Sequence, residues 1–250
     1  NHPAVATRRA SAPRVFVVAN FVMACCWNVP RQPQAGETLQ ASGFLAEPGG
    51  KGLNVAIGLA RLGCAVQPLI GCGQDAAADH LSALLAAEGL ADTHVHRLPA
   101  GSGCGAGLIG DDGQNAIAVF TGANAHLTAA HAEMGQADIA AADLVYGQFE
   151  TALAAVVRAF ELAHAAGRMA VLNPSPWQEP PASLRQTTHT LIVSEVEAHG
   201  LLDLRSPLPA GTDAALQSMG FALPAFWHKW PAAQVLVVTH SPQVAARGDT

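Results

Sequence analysis

The sequence predicts a doubly wound α/β fold, in which a mostly parallel sheet is covered by helices on both faces. From residue 144 onward, short apolar runs alternate with helical patterns, which is the order that right-handed strand–helix–strand crossovers produce. Half of the 250 residues are hydrophobic and 13% are charged, so the chain can bury one full core. Two segments, 31–46 and 94–120, interrupt the alternation, and we expect them to form a small β-sheet lid.

The chain begins with a segment that has no strand or helix pattern. Residues 1–13 are expected to form a flexible arm, and a single α/β domain is expected over 14–250. The run 14–20 is uniformly apolar, which is typical of a strand covered on both faces. Partial alternation over 39–45 predicts a strand that projects from the core into the lid.

A glycine turn follows this strand and leads into a helix. The run 47–54 reads Glu-Pro-Gly-Gly-Lys-Gly-Leu-Asn. Gly49, Gly50 and Gly52 can take positive φ and carry no side chain, so backbone N–H groups can approach a polar ligand closely. Asn54 falls in the first helical turn, where its amide can donate to and accept from a hydroxyl group.

Besides ligand binding, the glycine turn has two other possible interpretations, a nucleotide P-loop and a turn that serves packing alone. A nucleotide P-loop requires Gly-x-x-x-x-Gly-Lys-[Ser/Thr], whereas Lys51 is followed by Gly52, which has no hydroxyl for magnesium. A tight turn that serves packing alone is the second interpretation. The helix after the turn is expected to bury Val55, Leu59 and Leu62, which share one helical face.

The remaining elements follow in order along the chain. A helix over 76–89 is expected to end at Gly89 as a C-cap, and Asp112-Gly113 is a two-residue turn signal for a hairpin. Further strands are expected over 66–71, 95–98, 101–109, 115–120, 144–146, 169–173, 190–193 and 235–239, and helices after 128 and over 151–166, 182–186, 195–202 and 212–219.

Charge and hydropathy exclude several classes of partner. The net charge is −6 and the pI is about 6.0, so neither nucleic acid nor an anionic membrane would attract the chain over long range. The sequence has no apolar window of ~18 residues and no apolar segment at its start that is typical of a signal peptide. We therefore expect a cytoplasmic protein, and the exposed edge of the predicted lid makes a homodimer through the lid an expectation as well.

Several segments closely resemble signatures of the ribokinase-like (PfkB) carbohydrate kinases, and in matching order they extend over nearly all of residues 14–240. They are Pro-Gln-Ala-Gly-Glu-Thr at 33–38, the glycine turn with its Ala-rich helix ending in Arg-Leu-Gly, Gly-Ala-Asn-Ala at 122–125, Gly-Gln-Phe-Glu at 147–150 and Leu-Asn-Pro-Ser-Pro at 172–176. The resemblance implies the ribokinase-like fold with a β lid. It also implies ATP-dependent phosphorylation of a sugar or nucleoside hydroxyl, with Mg²⁺.

The resemblance also implies which residues form the site. On the sugar side they are Asn20, Gly49, Gly50, Lys51, Asn54 and Glu150. On the nucleotide side they are Asn173, Ser194 and Thr239 near the phosphates, and Glu195 and Glu197, which would hold Mg²⁺ through water.

The residues by themselves allow plainer interpretations of the nucleotide side. Glu195 and Glu197 stand in the first turn of a predicted helix, where carboxylates commonly stabilise the helix dipole. Asn173 precedes a proline in Asn-Pro-Ser-Pro, which is typical of a fixed turn.

Three departures from the family pattern support a different class of function. Met23 stands where the family usually has an aspartate for sugar hydroxyls, and Ser194 stands where it has an asparagine. The loop after the strand 235–239 lacks both glycines of the family's Thr-x-Gly-x-x-Gly. These departures favour the alternative of a non-catalytic sugar- or nucleotide-binding protein.

The fourth departure concerns the catalytic base. The family's base is the aspartate of a Gly-Ala-Gly-Asp segment, which this sequence does not contain, so the C-terminal part of the family fold is expected to be absent. The 250-residue chain is therefore expected to be inactive. Asp249, in a Gly-Asp-Thr ending, is expected to be an ordinary turn residue.

Overall fold

The chain is built around two β-sheets. The computed structural model describes residues 11–209 and 211–239, and the backbone of 245–249. Most of the predicted arm 1–13 lies outside the described residues. The strands, numbered along the chain, are β1 Arg14–Val18, β2 Val22–Val29, β3 Gly43–Gly49, β4 Ala65–Cys72, β5 Val95–Arg97, β6 Gly103–Gly110, β7 Asn115–Phe120, β8 Leu144–Gln148, β9 Met169–Asn173, β10 Thr190–Ser194, β11 Val235–Thr239 and β12 Ala245–Asp249.

The larger sheet has the strand order β12-β11-β10-β9-β8-β1-β4-β5. Its strands from β11 to β5 pair in parallel, and β12 pairs with β11 in the antiparallel sense. Asp249 is the last residue of β12. The prediction that it lies in a turn is therefore wrong, because Asp249 pairs with Val235 of β11.

Helices cover both faces of this sheet. Alternate residues of β1 belong to two separate cores, one on each face of the sheet. Val15 and Val17 share a core with residues of the first two helices along the chain, and Phe16 and Val18 share the other core with residues of the later helices. The predicted doubly wound arrangement is confirmed. The helices are α1 Lys51–Arg61, α2 Ala76–Ala87, α3 Ala129–Met134, α4 Gln136–Ala141, α5 Leu153–Ala165, α6 Ala182–Thr187, α7 Glu195–Leu201, α8 Thr212–Gly220 and α9 Leu223–Lys229, with a short 3-10 helix over Gly122–His126.

In the part of the chain that the structure describes, no helix combines the length and the apolar character needed to span a bilayer.

The smaller sheet forms the lid and has the order β3-β2-β6-β7. β2 and β6 pair in parallel, and β6 and β7 form the predicted hairpin, with Gly113 at φ 82° in its turn. The lid boundaries 31–46 and 94–120 need correction. The strand expected over 39–45 lies at Gly43–Gly49, β2 was not predicted, and β5 belongs to the larger sheet.

The chain enters the lid twice, and each time it leaves the larger sheet and returns to it at neighbouring points. The first leaves after Asn20 and returns at Gly50, where the side-chain carbonyl of Asn20 accepts a hydrogen bond from the Gly52 amide at 2.8 Å. The second leaves after Gly101, whose carbonyl accepts from the returning Ala123 amide at 2.8 Å. The lid therefore consists of two segments, each closed at its base by a hydrogen bond.

Candidate active site at the carboxyl edge of the sheet

The predicted site residues lie where the parallel strands end. In a doubly wound sheet the carboxyl ends of the strands line one edge, and ligands bind there. Asn20 follows β1, Glu150 follows β8, and Asn173, Ser194 and Thr239 are the last residues of β9, β10 and β11. The fold thus brings residues that are distant in the sequence to one edge.

The glycine turn packs so closely against this edge that a side chain at Gly50 or Gly52 would clash with the backbone after β1. Gly50 is the N-cap of α1, with φ 122°, and a Cβ atom there would lie 2.6 Å from the Asn20 carbonyl oxygen. A Cβ atom at Gly52 would lie 2.5 Å from the Cα atom of Ala19. Gly49 ends β3 without a positive φ. Of the three glycines, Gly50 therefore supplies the unusual backbone conformation and Gly52 the close contact.

The predicted buried face of α1 is wrong at Leu62 and partly right elsewhere. Val55 and Leu59 are half-buried and pack against the core, the buried residues of the helix are Gly52, Leu53 and Ala56, and Leu62 is 82% exposed. The helix ends at Arg61, so Leu62 lies beyond its last turn. Small residues face the sheet because the helix start lies directly against the end of β1.

Asn20, Lys51 and Glu150 form one hydrogen-bonded cluster. The side-chain nitrogen Nδ2 of Asn20 donates to Glu150 Oε2 at 2.8 Å, and Lys51 Nζ lies 3.0 Å from Glu150 Oε1. Asn20 is buried, while the Lys51 side chain is 47% exposed. Asn54, in the first turn of α1, is exposed. The cluster presents a carboxylate and an ammonium group toward solvent, which suits a ligand with several hydroxyl groups.

The cluster continues to the nucleotide side through Ser175. Lys51 Nζ donates to Ser175 Oγ at 2.5 Å. On the nucleotide side, Glu197 Oε2 accepts from the Ser194 amide at 2.7 Å and from the Ser194 hydroxyl, which completes a capping box at the start of α7.

Glu197 is held in its ionised form. Burial raises the pKa of the Glu197 carboxyl, but the hydrogen bonds from Ser194 and Ser175 and the positive charge of Lys51 outweigh burial and lower the pKa below its usual value. Hydrogen bonds to the charged form of a carboxyl favour that form. Glu195, two residues earlier, is half-buried.

Asn173 and Thr239 bind the backbone of the neighbouring strand β10. The Asn173 amide nitrogen donates to the Ile192 carbonyl at 2.7 Å, and Thr239 Oγ1 donates to the Val193 carbonyl at 3.3 Å. Both residues therefore fix strand ends at the edge where the phosphates are expected. The glycine-poor loop 240–244 lies outside the described residues.

Sequence reasoning missed three residues that hold the site in place. The Ser175 hydroxyl accepts a hydrogen bond from Lys51, and the buried Gln148 accepts one from the Glu150 amide through its side-chain carbonyl. Asn124 is fully buried and bonds both the amide and the carbonyl of Phe21, beside Asn20. Each of the three lies in a segment that matched the family, but only the folded geometry shows which atoms they contact.

Comparisons with known proteins point to one family of enzymes. The model of the pfkB family of carbohydrate kinases matches residues 12–243. A ribokinase of Haemophilus influenzae is 31% identical over 172 residues, which are 68% of this chain and 56% of that protein. A deoxyribokinase of Salmonella typhi is 32% identical over 147 residues, which are 58% of this chain and 48% of that protein. The chain spans about half the length of these relatives.

A solved structure shows the same fold. The ribokinase of Arabidopsis thaliana complexed with ribose and ATP has a TM-score of 0.80 at 20% sequence identity, over 95% of this chain and 78% of that chain. The structural likeness covers both the large sheet and the lid of the present chain. The family match and the fold together show that the chain belongs to the pfkB family of carbohydrate kinases.

Proposed function

We propose that the protein of which this chain forms all or part transfers a phosphoryl group from ATP to a sugar hydroxyl. The observation that carries the proposal is the cluster of Asn20, Lys51 and Glu150 beside the turn at Gly50. It places an amide, an ammonium group and a carboxylate within one hydrogen-bonded set at the strand ends. Such a set can both donate to and accept from vicinal hydroxyl groups.

The relatives indicate the class of substrate. Ribokinase and deoxyribokinase are named for pentose substrates, and the Arabidopsis structure contains ribose and ATP. We propose a pentose or related carbohydrate as the acceptor and ATP as the donor. A cytoplasmic location, expected from the sequence, stays a prediction.

The nucleotide side fits a hydrated magnesium ion. Among the described residues no group of three metal-ligating side chains occurs, and Mg²⁺ commonly keeps several waters and uses one or two carboxylates together with substrate phosphates. Glu195 and Glu197 supply carboxylates of this kind at the end of β10. When bound, the ion would neutralise charge on the transferring phosphoryl group. The chain's own part is to orient the Glu197 carboxylate through the amide and hydroxyl of Ser194.

Replacing Asn54 with alanine is expected to weaken sugar binding by roughly 5- to 100-fold, because one hydrogen-bonding amide is lost at the exposed start of α1. Calorimetric titration with a panel of pentoses, hexoses and nucleosides measures the loss. Gln114→Ala, in the exposed lid turn, is the control and should bind as the wild type does. Equal affinity of Asn54→Ala and the wild type for every ligand would remove Asn54 from the site.

The 250-residue chain itself is expected to bind sugar without transferring phosphate at a meaningful rate. Its sequence contains no Gly-Ala-Gly-Asp segment, and a general base typically contributes ~10²- to 10⁴-fold and a single anion-stabilising donor another ~10²- to 10³-fold. A coupled assay of ADP release with the sugar panel measures this. Sugar-dependent turnover of ~1 s⁻¹ or more, as in ordinary kinases, would show that the base lies elsewhere in this chain.

The same two assays separate the kinase from a non-catalytic binding protein. If a longer reading frame contains the Gly-Ala-Gly-Asp segment, its product should release ADP in a sugar-dependent manner. Sugar or nucleotide binding without turnover in that longer protein would favour the binding function.

We also propose a homodimer formed through the lid. Its strands expose large apolar side chains to solvent, a pattern that commonly marks an interaction surface. These side chains are Phe44, Leu45, Ile109, Ile117, Val119 and Phe120. The edge strands β3 and β7 also leave backbone groups available for pairing.

Replacing Ile117 with glutamate is expected to convert a dimer into a monomer, because it places a charge within this apolar surface. Light scattering coupled to gel filtration measures the mass. Leu62→Glu, at an even more exposed apolar residue outside the lid, is the control and should stay dimeric. A monomeric wild type at the highest soluble concentration would contradict the proposed dimer.

A further inference from the structure

Three histidines lie together at the edge of the larger sheet, close to the point where the chain enters the lid for the second time. His94 and His96 stand on either side of Val95, the first residue of the edge strand β5, so they share one face of the sheet. The third, His131, lies on α3, which follows the return of the chain from the lid. The ring centroids of His96 and His131 are 4.6 Å apart. This contact joins the strand before the second lid segment to the helix after it.

His131 caps α3 only while its ring is neutral. Its Nδ1 accepts a hydrogen bond from the Thr128 amide at 3.0 Å and lies 2.9 Å from the Thr128 hydroxyl, so α3 begins in a capping box. A ring nitrogen that accepts a hydrogen bond carries no hydrogen, and the neutral ring therefore keeps its proton on Nε2. A second proton would occupy Nδ1 and turn it into a donor that faces the Thr128 amide. Acid therefore removes this cap.

His96 is surrounded by groups that disfavour a positive charge. Its Nε2 is buried, and no hydrogen bond reaches it from the described residues. Burial, followed by the neighbouring His131 and His94, lowers the pKa of His96 below its usual value. If both rings of the His96–His131 pair took up protons, two positive charges would repel each other a few ångströms apart.

The charged groups on the surrounding elements are matched among themselves. These pairs are His94 with Asp138 at 2.8 Å, Glu133 with Arg158 at 2.8 Å, Glu161 with Arg158 at 3.2 Å and Arg97 with Asp79 at 2.6 Å. Burial raises the pKa of the Cys72 thiol on β4, and both His126 of the 3-10 helix and His164 of α5 are exposed. Over the part of the chain that the structure describes, no hydrogen bond or ion pair joins a carboxylate to either ring of the His96–His131 pair.

The segment directly before α3 carries two hydrogen bonds that anchor the site. The Asn124 side chain bonds the amide and the carbonyl of Phe21. The Ala123 amide donates to the Gly101 carbonyl and closes the base of the second lid segment. The helix cap at Thr128 comes only four residues after Asn124. If the cap is lost and the rings repel each other, this segment should loosen first.

We propose that His96 and His131 form an acid-sensitive clasp on the base of the second lid segment, which opens when the two rings take up protons. The clasp depends on the fold alone, whereas its effect on sugar affinity rests on the proposed function. In the unfolded chain, histidines take up protons below about pH 6.5, and a folded ring that resists protonation does so only at lower pH. The folded state then binds fewer protons than the unfolded state, so stability falls as the pH drops below this value.

The first experiment follows the histidine ring protons by NMR during a pH titration of the wild-type chain. His96 should titrate below the ordinary value for histidine. In His131→Gln its midpoint should rise, because one neighbouring positive charge is removed. Glutamine at this position of a capping box can still accept from the Thr128 amide, so α3 keeps its start. Titration of wild-type His96 at or above the ordinary value would overturn the proposal.

The second experiment measures opening of the clasp by hydrogen exchange of the Ala123 amide at about pH 7.5 and about pH 5.5. Its protection factor should fall by roughly 5-fold or more at the lower pH, since one proton taken up on opening changes the equilibrium by up to about tenfold per pH unit. The Ala19 amide, which donates to the Leu69 carbonyl within the larger sheet, is the internal reference and should lose less protection.

A double variant removes both titrating rings. His96→Phe keeps an aromatic ring, and combined with His131→Gln it should keep the protection of the Ala123 amide at both pH values. His126→Gln, at an exposed residue of the same segment, is the matched control and should behave as the wild type does. An equal loss of protection in the double variant and the wild type would overturn the clasp. Should the double variant fail to fold, the titration of the wild type still decides.

A third measurement separates the clasp from the proposed function. Calorimetry gives the dissociation constant of a pentose at the same two pH values. The wild type should bind roughly 5-fold or more weakly at the lower pH, within the usual range of coupling between sites, and the double variant should lose clearly less. No binding at either pH would refute the proposed function, while acid loss of Ala123 protection would still support the clasp. Unchanged affinity beside that loss would overturn the connection between the clasp and the sugar side.

Discussion

Asn124→Leu is expected to lower the free energy of unfolding by about 3 to 5 kcal/mol. The Asn124 side chain accepts from the Phe21 amide at 2.8 Å and donates to the Phe21 carbonyl at 2.7 Å and the Thr121 carbonyl at 2.8 Å. Leucine would leave these buried backbone groups unpaired, at a cost of ~1 to 3 kcal/mol each. Chemical denaturation with an unchanged m-value measures the loss.

The same replacement is expected to abolish sugar binding in the folded fraction. The Asn124 carbonyl accepts from the Ala152 amide, and its side chain holds Phe21, so this residue fixes the segments that carry both Glu150 and Asn20. Asn115→Leu, at an exposed residue of β7, is the control, and it should change stability by less than about 0.5 kcal/mol. Equal stability of the two variants would show that Asn124 does not anchor the site.

Gly52→Ala is expected to destabilise the protein by about 3 kcal/mol. The new Cβ atom would lie 2.5 Å from Ala19 Cα and 2.8 Å from the Asn20 amide nitrogen. Both are backbone atoms, so α1 must shift as a whole, and overpacking of this kind typically costs ~1 to 3 kcal/mol or more. The melting temperature should fall by roughly 6 to 12 °C, as measured by calorimetry.

Gly58 provides a matched control within the same helix. A Cβ atom at Gly58 would have no neighbour within 4 Å, so Gly58→Ala should stabilise α1 by about 1 kcal/mol through helix propensity. Opposite signs for the two variants would confirm that contact with β1, rather than helix propensity, requires glycine at position 52. Stabilisation by both replacements would contradict the close contact.

The sequence predicted the strands of the larger sheet well because both faces of that sheet are covered. Strands such as β1 and β11 contain four consecutive apolar residues, which is typical of strands covered on both faces. The lid strand β2 was missed for a different reason. Its apolar run 21–27 follows the run of β1 with only Asn20 between them, so no glycine or proline marks a separate strand, and β2 is half-buried along most of its length.

The site was predictable in its residue types but not in its contacts. Asn20, Lys51 and Glu150 were expected on the sugar side from the resemblance, and the fold brings them into one cluster. The bond from Lys51 to Ser175 joins residues 124 positions apart, and no local pattern encodes it. The helix-cap interpretation of Glu197 describes its contacts with Ser194, and its role toward magnesium stays a prediction.

The two closed bases of the lid have a consequence for how this protein can be altered. Each lid segment leaves the larger sheet and returns to it at two points that a hydrogen bond joins. These bonds connect Asn20 with Gly52 and Gly101 with Ala123. If a segment of different length replaces the lid between these points, the ends of the new segment are still held together. The entropic cost of closing a loop grows only slowly with its length, so the replacement should cost little stability. We therefore expect that the lid of another member of the family could replace this one without disturbing the larger sheet, and under the proposed function such a replacement would change the sugar side of the site alone.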